Sequence, residues 1–331
     1  MEKEGIDFVI MWVDGADENW RRKKLKYQIS ENLDAREIRY RDWGLLRYWF
    51  RGVEAFAPWV RRIYFVSDGQ YPSWLNKGNE KLYMVTHEDF IPKKYLPTFS
   101  ANPIELNLHR IKGLSNQFVL FNDDMYLLKP VKETDFFKDG MPVDDAILNP
   151  IICRTENEIG NIIANDMGII NKNFQKNAVM KSEIYKWFNP KYGIKLLRTL
   201  CLLPWRHFSG FFNDHIPQPF LKSTFSEVWK YENEYLDATC CHKFRDYQKD
   251  VNQWLIRYWQ FATNQFFPAN PSRGKDLNII TDDVEGIIQK QKFKMICIND
   301  SDEIDSFEEI QKRIERAFCS VLPSVSSFEL E

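Results

Sequence analysis

The segment Phe121-Asn122-Asp123-Asp124-Met125 places an amide and two adjacent carboxylates directly after a short apolar run, Phe118 to Phe121. Carboxylates delivered abruptly to solvent by a buried run suit a hard divalent cation. Magnesium and manganese take oxygen ligands and share them between one or two carboxylates and the phosphates of a substrate. A nucleotide diphosphate is a ligand of that kind, with Asp123 and Asp124 on the metal and Asn122 beside it. The same triplet also suits a plain turn, in which short polar side chains bond their own backbone.

The elements that position these residues decide between the two readings. Three other apolar runs end alike: Ile6 to Val13 leads into Asp14-Gly15, Ile63 to Val66 into Ser67-Asp68-Gly69, and Leu82 to Val85 into Thr86-His87-Glu88-Asp89. Helical periodicity separates them, over 43–56 with Leu46, Trp49, Phe50 and Val53 as the apolar stripe, and over 102–114. Alternating strand and helix predicts an α/β fold with a mainly parallel sheet and right-handed crossovers. The polar ends then share the carboxyl rim where such sheets bind ligands. That convergence favours a site over a set of unrelated turns.

The second helix has a start signal of its own: Asn102 suits the N-cap, Pro103 the first helical position, and Glu105 the place from which a side chain reaches back to free backbone donors. Glu105 and His109 fall one turn apart with Arg110 adjacent, so Glu, His and Arg could face the rim, or form an ordinary solvated face. Residues 144–211 are less regular, with helical stretches such as 180–188, and are expected to form an insertion on the acceptor side. In Phe211-Phe212-Asn213-Asp214-His215-Ile216-Pro217-Gln218-Pro219-Phe220 the prolines hold the backbone extended and aim His215. An imidazole titrates near neutrality, which suits proton exchange with an acceptor hydroxyl or leaving group. Arg245 precedes a helical pattern over 247–261 and has the planar fork that grips phosphate. The stretch 304–321 is amphipathic and suits docking on the domain or, less simply, lying on a membrane surface.

Composition bounds the function. A chain of 331 residues with 44% hydrophobic content buries a sizeable core, and 45 Lys and Arg against 47 Asp and Glu leave a net charge of −2. With no basic stripe, nucleic acid is discounted as a partner. The 11 Trp, 14 Tyr and 25 Phe could stack on sugars, although a large core accounts for most of them. Cys153, Cys201, Cys240, Cys241, Cys297 and Cys319 lack CxxC spacing, which argues against zinc and a disulfide framework and for a reducing cytosol. Cys240-Cys241-His242 imitates a metal triplet, but adjacent side chains rarely converge on one ion. The start, Met1-Glu2-Lys3-Glu4, is unlike a signal peptide, and no apolar run approaches the roughly 20 residues of a membrane span. Asn299-Asp300-Ser301 fits the N-glycosylation pattern, which is without consequence in a cytosolic chain.

Read together, Ile6-Asp7-Phe8-Val9-Ile10-Met11-Trp12-Val13-Asp14-Gly15, the block from Arg41 through Asp124, and His215-Ile216-Pro217 resemble the Stealth family of sugar-phosphate transferases. The middle block is the most specific, with Ala57-Pro58-Trp59-Val60-Arg61-Arg62, Ser67-Asp68-Gly69-Gln70, His87-Glu88-Asp89-Phe90-Ile91-Pro92, Leu96-Pro97-Thr98-Phe99-Ser100 and Phe121-Asn122-Asp123-Asp124 in order. Clear resemblance covers about half the chain, is weak beyond about residue 270, and favours a bacterial capsule enzyme. It implies transfer of hexose-1-phosphate or N-acetylhexosamine-1-phosphate from a UDP-sugar to a glycan hydroxyl, forming a phosphodiester and releasing UMP. The expected fold is α/β, with a mainly parallel Rossmann-like (GT-A-like) sheet, a helical acceptor-side insertion and a C-terminal helix. The expected division is 1–143 for the nucleotide sugar, 144–211 for the insertion and 212–331 to complete a compact catalytic domain. On this reading Asp123 and Asp124 hold Mg2+ or Mn2+, while Trp12, Asp14, Gly15, Asp68, Glu105 and Asn122 face the donor. His109, Arg110 and Arg245 stabilise phosphate, and His215, then His87, exchange the proton. The rivals are a metal-dependent glycosyltransferase that releases UDP and a non-catalytic glycan-binding protein. The expected partners are a nucleotide-sugar donor and an oligo- or polysaccharide acceptor, with peripheral association at the inner face of the plasma membrane as a further expectation.

Overall fold

The computed structural model describes residues 5–28 and 34–330; the acidic start, residues 1–4, lies outside the described residues. The strands, in chain order, are β1 Asp7–Met11, β2 Ile63–Ser67, β3 Leu82–Thr86, β4 Gln117–Phe121, β5 Met125–Leu127, β6 Phe137–Lys138, β7 Met141–Asp144, β8 Gln218–Leu221, β9 Phe267–Pro268, β10 Gly274–Asn278 and β11 Met295–Asn299. A five-stranded sheet has the order β3-β2-β1-β4-β8; its first four strands are parallel and β8 is antiparallel. The alternation read from the sequence therefore gives an α/β fold with a mainly parallel sheet.

The strand sequences are apolar on both faces because both faces are covered. Phe8, Ile10, Phe65, Val119 and Phe121 point into one core, and Val9, Tyr64, Val66, Phe118 and Leu120 into the other. The first core joins helix Leu46–Phe56 to the C-terminal helix Phe307–Val321, whose Ile314, Ala317 and Phe318 are buried. Phe318 stacks on Tyr48 at 5.4 Å, and each such fully buried side chain contributes about 1.5–3 kcal/mol. The amphipathic C-terminal stretch thus docks on the domain. The second core gathers the helices between residues 159 and 262.

Two further sheets complete the frame. In one, β10 and β11 are parallel and β11 pairs antiparallel with β5; in the other, β7 lies between β6 and β9. Strands β10 and β11 fall in the region 212–331, expected to complete the catalytic domain, where the sequence reading named no strand. Their signal was the familiar one, an apolar run from Met295 to Ile298 that ends in Asn299-Asp300.

Helix boundaries depart from the local signals wherever tertiary partners outbid them. The second helix starts at Ala101, after Ser100, rather than being capped by Asn102, whose amide instead donates to Asp250 Oδ2 at 2.9 Å. Glu105 accepts from the backbone N–H of Gln253 at 3.4 Å and not from its own helix start. The helix ends at Asn107 and tightens into a 3-10 turn, Leu108–Arg110, as the Asn107 side chain donates to the Pro103 carbonyl. Its expected continuation to residue 114 is therefore absent. The pattern over 247–261 forms a helix only from Gln253 to Ala262, capped by Asn252, because Asp250 is already engaged by Asn102, His242 and the Asp246 amide.

Gly15 shows what this packing demands. A Cβ there would lie 2.0 Å from the Tyr40 carbonyl oxygen, so the turn after β1 packs on the segment 37–40 with no room for a side chain. Gly15→Ala is expected to destabilise the fold by about 1–3 kcal/mol, the usual cost of overpacking, read as a lowered urea midpoint at unchanged m-value.

Candidate active site

The carboxyl rim of the central sheet opens into a cavity of about 1000 Å³. Trp12 and Val13 reach it from the end of β1, His87 from the end of β3, and Asn122, Asp123 and Asp124 from the end of β4. Because β8 runs antiparallel, its beginning lies at this same rim, and His215 enters the cavity there. Glu105, Arg245 and Gln253 complete one side; Asp276, Asn278, Asn299 and Asp300, from the ends of β10 and β11, form the other.

Residues Asn122 to Asp124 are the whole connection between β4 and β5, and so between two sheets. The turn is closed by Met125 N–H to the Asn122 carbonyl at 3.2 Å and clamped by Ile298 N–H to the Asp124 carbonyl at 2.9 Å. The Tyr126 hydroxyl donates to the Asp123 carbonyl at 2.9 Å. A turn and a site are thus not alternatives here, since the backbone spends its hydrogen bonds on the turn and the side chains face the cavity. Burial, then the nearby charges of Asp124 and Asp42, push the Asp123 carboxyl far above the usual range. Asn122 Oδ1 and Asp124 Oδ1 are buried with no hydrogen-bond partner. Crowded carboxylates and orphaned oxygens fit a bound cation, which would relieve both.

His215 is held from two sides. Its Nε2 lies 3.1 Å from Asn122 Nδ2, and its Nδ1 is 3.3 Å from Asn299 Oδ1 and 3.4 Å from Cys297 Sγ. An amide nitrogen only donates, so Nε2 accepts and keeps its lone pair, while Nδ1–H points to the Asn299 oxygen; this network assigns the tautomer. Asp124, His215 and Cys297 each offer a ligand atom within 4.8 Å of one another. Burial and the charges of Asp124, Asp276 and Asp123 push the Cys297 thiol far up, so it remains a neutral donor rather than a thiolate ligand. Burial also raises the Glu105 carboxyl, against the charge of Arg245 and the backbone N–H of Gln253.

The cavity gathers only some of the residues singled out in the sequence. Trp12, Glu105, His87, Asn122, Asp123, Asp124, His215 and Arg245 line it. His87 is buried, and desolvation lowers it to about 4 despite Asp68 nearby, so it is neutral and a feeble base. Asp14, Gly15 and Asp68 are not among the residues that line the cavity. Asp14 accepts from the Ala16 amide at 2.8 Å, Gly15 supports Tyr40, and Asp68 pairs with Lys23 at 2.7 Å. His109 packs against Phe225 and Trp229, where burial and Arg110 lower it to about 3, and Arg110 binds Asn107 and covers Trp229. The 3-10 turn is what rotates both away from Glu105.

Arg39, Arg41 and Arg154 line the cavity and escaped the sequence reading, as did Cys297 beside His215. Arg41 faces Asp300 at 3.3 Å, and Arg39 donates to the Tyr247 hydroxyl at 2.6 Å. Asn299 lies in the wall with its amide on the Leu277 carbonyl, which takes the Asn-Asp-Ser triplet off any glycosylation surface. Cys240 is buried and bound by Asn107, Cys241 is exposed, and His242 pairs with Asp250 at 2.6 Å, so the apparent metal triplet diverges.

The loop carrying His215 hangs from a buried arginine. Arg257 donates to the Phe212 carbonyl at 2.9 Å, to Asn213 Oδ1 at 2.7 Å, to both oxygens of Asp144, and to Asp145 at 3.0 Å. Burial pushes Asp144 up, but Arg257 and Arg273 more than reverse this and hold it at about 2. Asp145, pushed up first by burial and then by Asp144, rises to about 8, and its Oδ2, which has no partner, is where the proton would reside.

Among protein families, the chain matches the model of Stealth protein CR2, conserved region 2, over residues 39–144. It is 45% identical to the capsular polysaccharide phosphotransferase WcwK of Streptococcus pneumoniae over 98% of both chains. It is 43% identical to the receptor polysaccharide phosphotransferase WefC of Streptococcus oralis, over 98% of this chain and 99% of that one. The exopolysaccharide phosphotransferase cps2G of Lactiplantibacillus plantarum is 40% identical over 98% of this chain and 96% of that one. Among solved structures, the galactosyltransferase LgtC with donor and acceptor sugar analogs is a distant likeness, with TM-score 0.40 and 10% identity over 97% of this chain and 98% of that one.

A carboxyl whose pKa is raised by folding favours the folded state while protonated and costs stability as pH climbs from its unfolded value to its folded one. For Asp145 that window runs from about 4 to about 8. Asp145→Asn keeps the acceptor for Arg257 and cannot ionise. It should therefore lose less thermal stability than the wild type between about pH 5 and about pH 8, as two calorimetric series would show.

Proposed function

The chain belongs to the Stealth family of polysaccharide phosphotransferases, and from that premise we propose that it moves a hexose-1-phosphate or N-acetylhexosamine-1-phosphate unit from a UDP-sugar to a hydroxyl of a growing glycan. The observation that carries this reading is the meeting of Asn122, Asp123 and Asp124 with Glu105, His215 and Arg245 around one cavity. Phosphoryl transfer asks for positioned oxygens, positive charge about the phosphate and a base near the nucleophile, and little else.

His215 accepts the proton of the acceptor hydroxyl at Nε2, releasing the Asn122 amide as it does so. The hydroxyl oxygen bonds to the phosphorus that carries the sugar. The bond from that phosphorus to the bridging oxygen breaks, and its electron pair leaves with UMP. The Asn299 oxygen, held on Nδ1–H, supports the imidazolium that forms. Arg245, whose guanidinium lies over the Tyr247 ring at 5.8 Å, and Arg41 supply positive charge on the cavity wall.

The oxygens of Asn122, Asp123 and Asp124 would hold magnesium or manganese, since hard cations prefer such donors to a neutral thiol. A bound divalent cation supplies charge neutralisation at the diphosphate. The same set of residues in an ordinary glycosyltransferase would release UDP, so the leaving nucleotide is the discriminating product.

Asp123→Asn and Asp124→Asn are each expected to slow UMP release on the order of 100-fold or more, and His215→Ala by 100-fold or more. Both aspartate variants should also bind Mn2+ at least about ten-fold more weakly by calorimetry, a readout independent of turnover. Chromatography of the nucleotide and phosphorus NMR of the product test the reaction. UDP without UMP, or a product lacking a phosphodiester, would overturn the proposal.

A further inference from the structure

Residues 184–205 carry an apolar crest that nothing among the described residues covers. The helix Ile184–Trp187 and the run Pro190–Cys201, a 3-10 turn continuing into a helix, leave Tyr185 at 86%, Ile194 at 83% and Leu197 at 56% exposure, with Leu200 and, just beyond, Trp205 at 58%. Ile194, Leu197 and Cys201 recur at helical spacing on the outward arc, while Thr199 on the opposite arc is buried and accepts the Leu148 amide at 3.0 Å. The side that faces the protein is therefore settled, and the apolar arc is the other one.

The charge around this crest is one-sided. Residues 181–206 contain Lys181, Lys186, Lys191, Lys195, Arg198 and Arg206 against Glu183 alone, a surplus of five in a chain whose total is −2. Three of these six cations meet neutral partners: Lys186 and Lys191 reach the carbonyls of Asn264 and Pro268, and Arg198 reaches the Asn149 amide oxygen. Lys195 has a carboxylate, Asp214, only at 3.9 Å. Apolar side chains ringed by uncompensated cations are the pattern of a segment that lies in the interface of an anionic bilayer. A second copy of the same face would set like charges against each other, which weighs against a two-fold dimer there.

We propose that residues 184–205 dock this protein on an anionic lipid surface, with the apolar crest in the acyl boundary and the cations at the headgroups. No helix among the described residues is long and apolar enough to cross a membrane, so the attachment is peripheral. The crest lies one layer from the active cavity. Lys195 sits 3.6 Å and Arg198 5.3 Å from the Phe212 ring centre, in the loop that leads to His215. Docking would thus hold the catalytic loop close to the bilayer. The inference stands on this face and does not depend on the leaving nucleotide.

The test is co-sedimentation of the full chain with phosphatidylcholine vesicles, with and without about one third phosphatidylglycerol, at low and high salt. The wild type should bind the anionic vesicles about ten-fold or more better than the neutral ones, and salt should weaken the binding. A variant with Tyr185→Ser, Ile194→Ser, Leu197→Ser and Trp205→Ser should lose about ten-fold or more of that binding, while its melting and its turnover of a short soluble acceptor stay as in the wild type. Lys181→Glu with Arg206→Glu should remove the salt-sensitive part. Failure to bind either vesicle, or binding indifferent to both variants, would overturn the proposal. A dimer that the serine variant dissolves, with no vesicle binding, would overturn it in favour of a second copy.

Discussion

The structure depends on burying a charged turn between two sheets. Asn122, Asp123 and Asp124 are the only residues between β4, an inner strand of the central sheet, and β5, at the edge of the second. Their backbone is fixed by Met125, Tyr126 and Ile298, so the carboxylates cannot relax away from each other or from Asp42. Concentrated negative charge in a partly enclosed space is costly unless a cation or proton joins it. The frame holds the repulsion in place, and that is the ground on which a cation is proposed at the turn.

Everything else in the cavity answers this constraint. The antiparallel β8 brings His215 to a rim otherwise built from parallel strand ends, where Asn122 and Asn299 set its tautomer. Arg257, buried beneath the loop before it, satisfies two carboxylates and two loop oxygens at once. Removing one partner from such a network leaves charge stranded in the interior, so these groups hold the loop before His215 in place. Cys297 is kept neutral by the acids it faces and acts as a hydrogen-bonding neighbour of the imidazole.

The sequence was most readable where one physical force acted alone. Apolar runs such as Ile63 to Val66 and Phe118 to Phe121 became strands near their expected limits because burial on both faces left no competing arrangement. Local rules misled where a partner distant in sequence offered a better bond: Asn102 left its capping role for Asp250, and Glu105 turned to Gln253. His109 and Arg110 fell away from the cavity because the helix tightened after Asn107, a change of one turn that periodicity does not register. The run Met295 to Ile298 bore the same run-then-acid signature, at the same length, as the other rim strands, and the same rule would have found it.

By itself the sequence determined the kinds of chemistry available, because residue type and order fix which oxygens, nitrogens and charges exist and which runs must be buried. It also determined the alternation of strand and helix, through the period at which apolar residues recur. Only the tertiary structure decided that Asn122, Asn299 and His215, far apart along the chain, share one hydrogen-bonded group, that Asp14 and Asp68 do not line the cavity, and that an apolar crest remains exposed over residues 184–205. Such outcomes depend on strand order and on long-range competition for hydrogen bonds, and neither is encoded in any local window of residues.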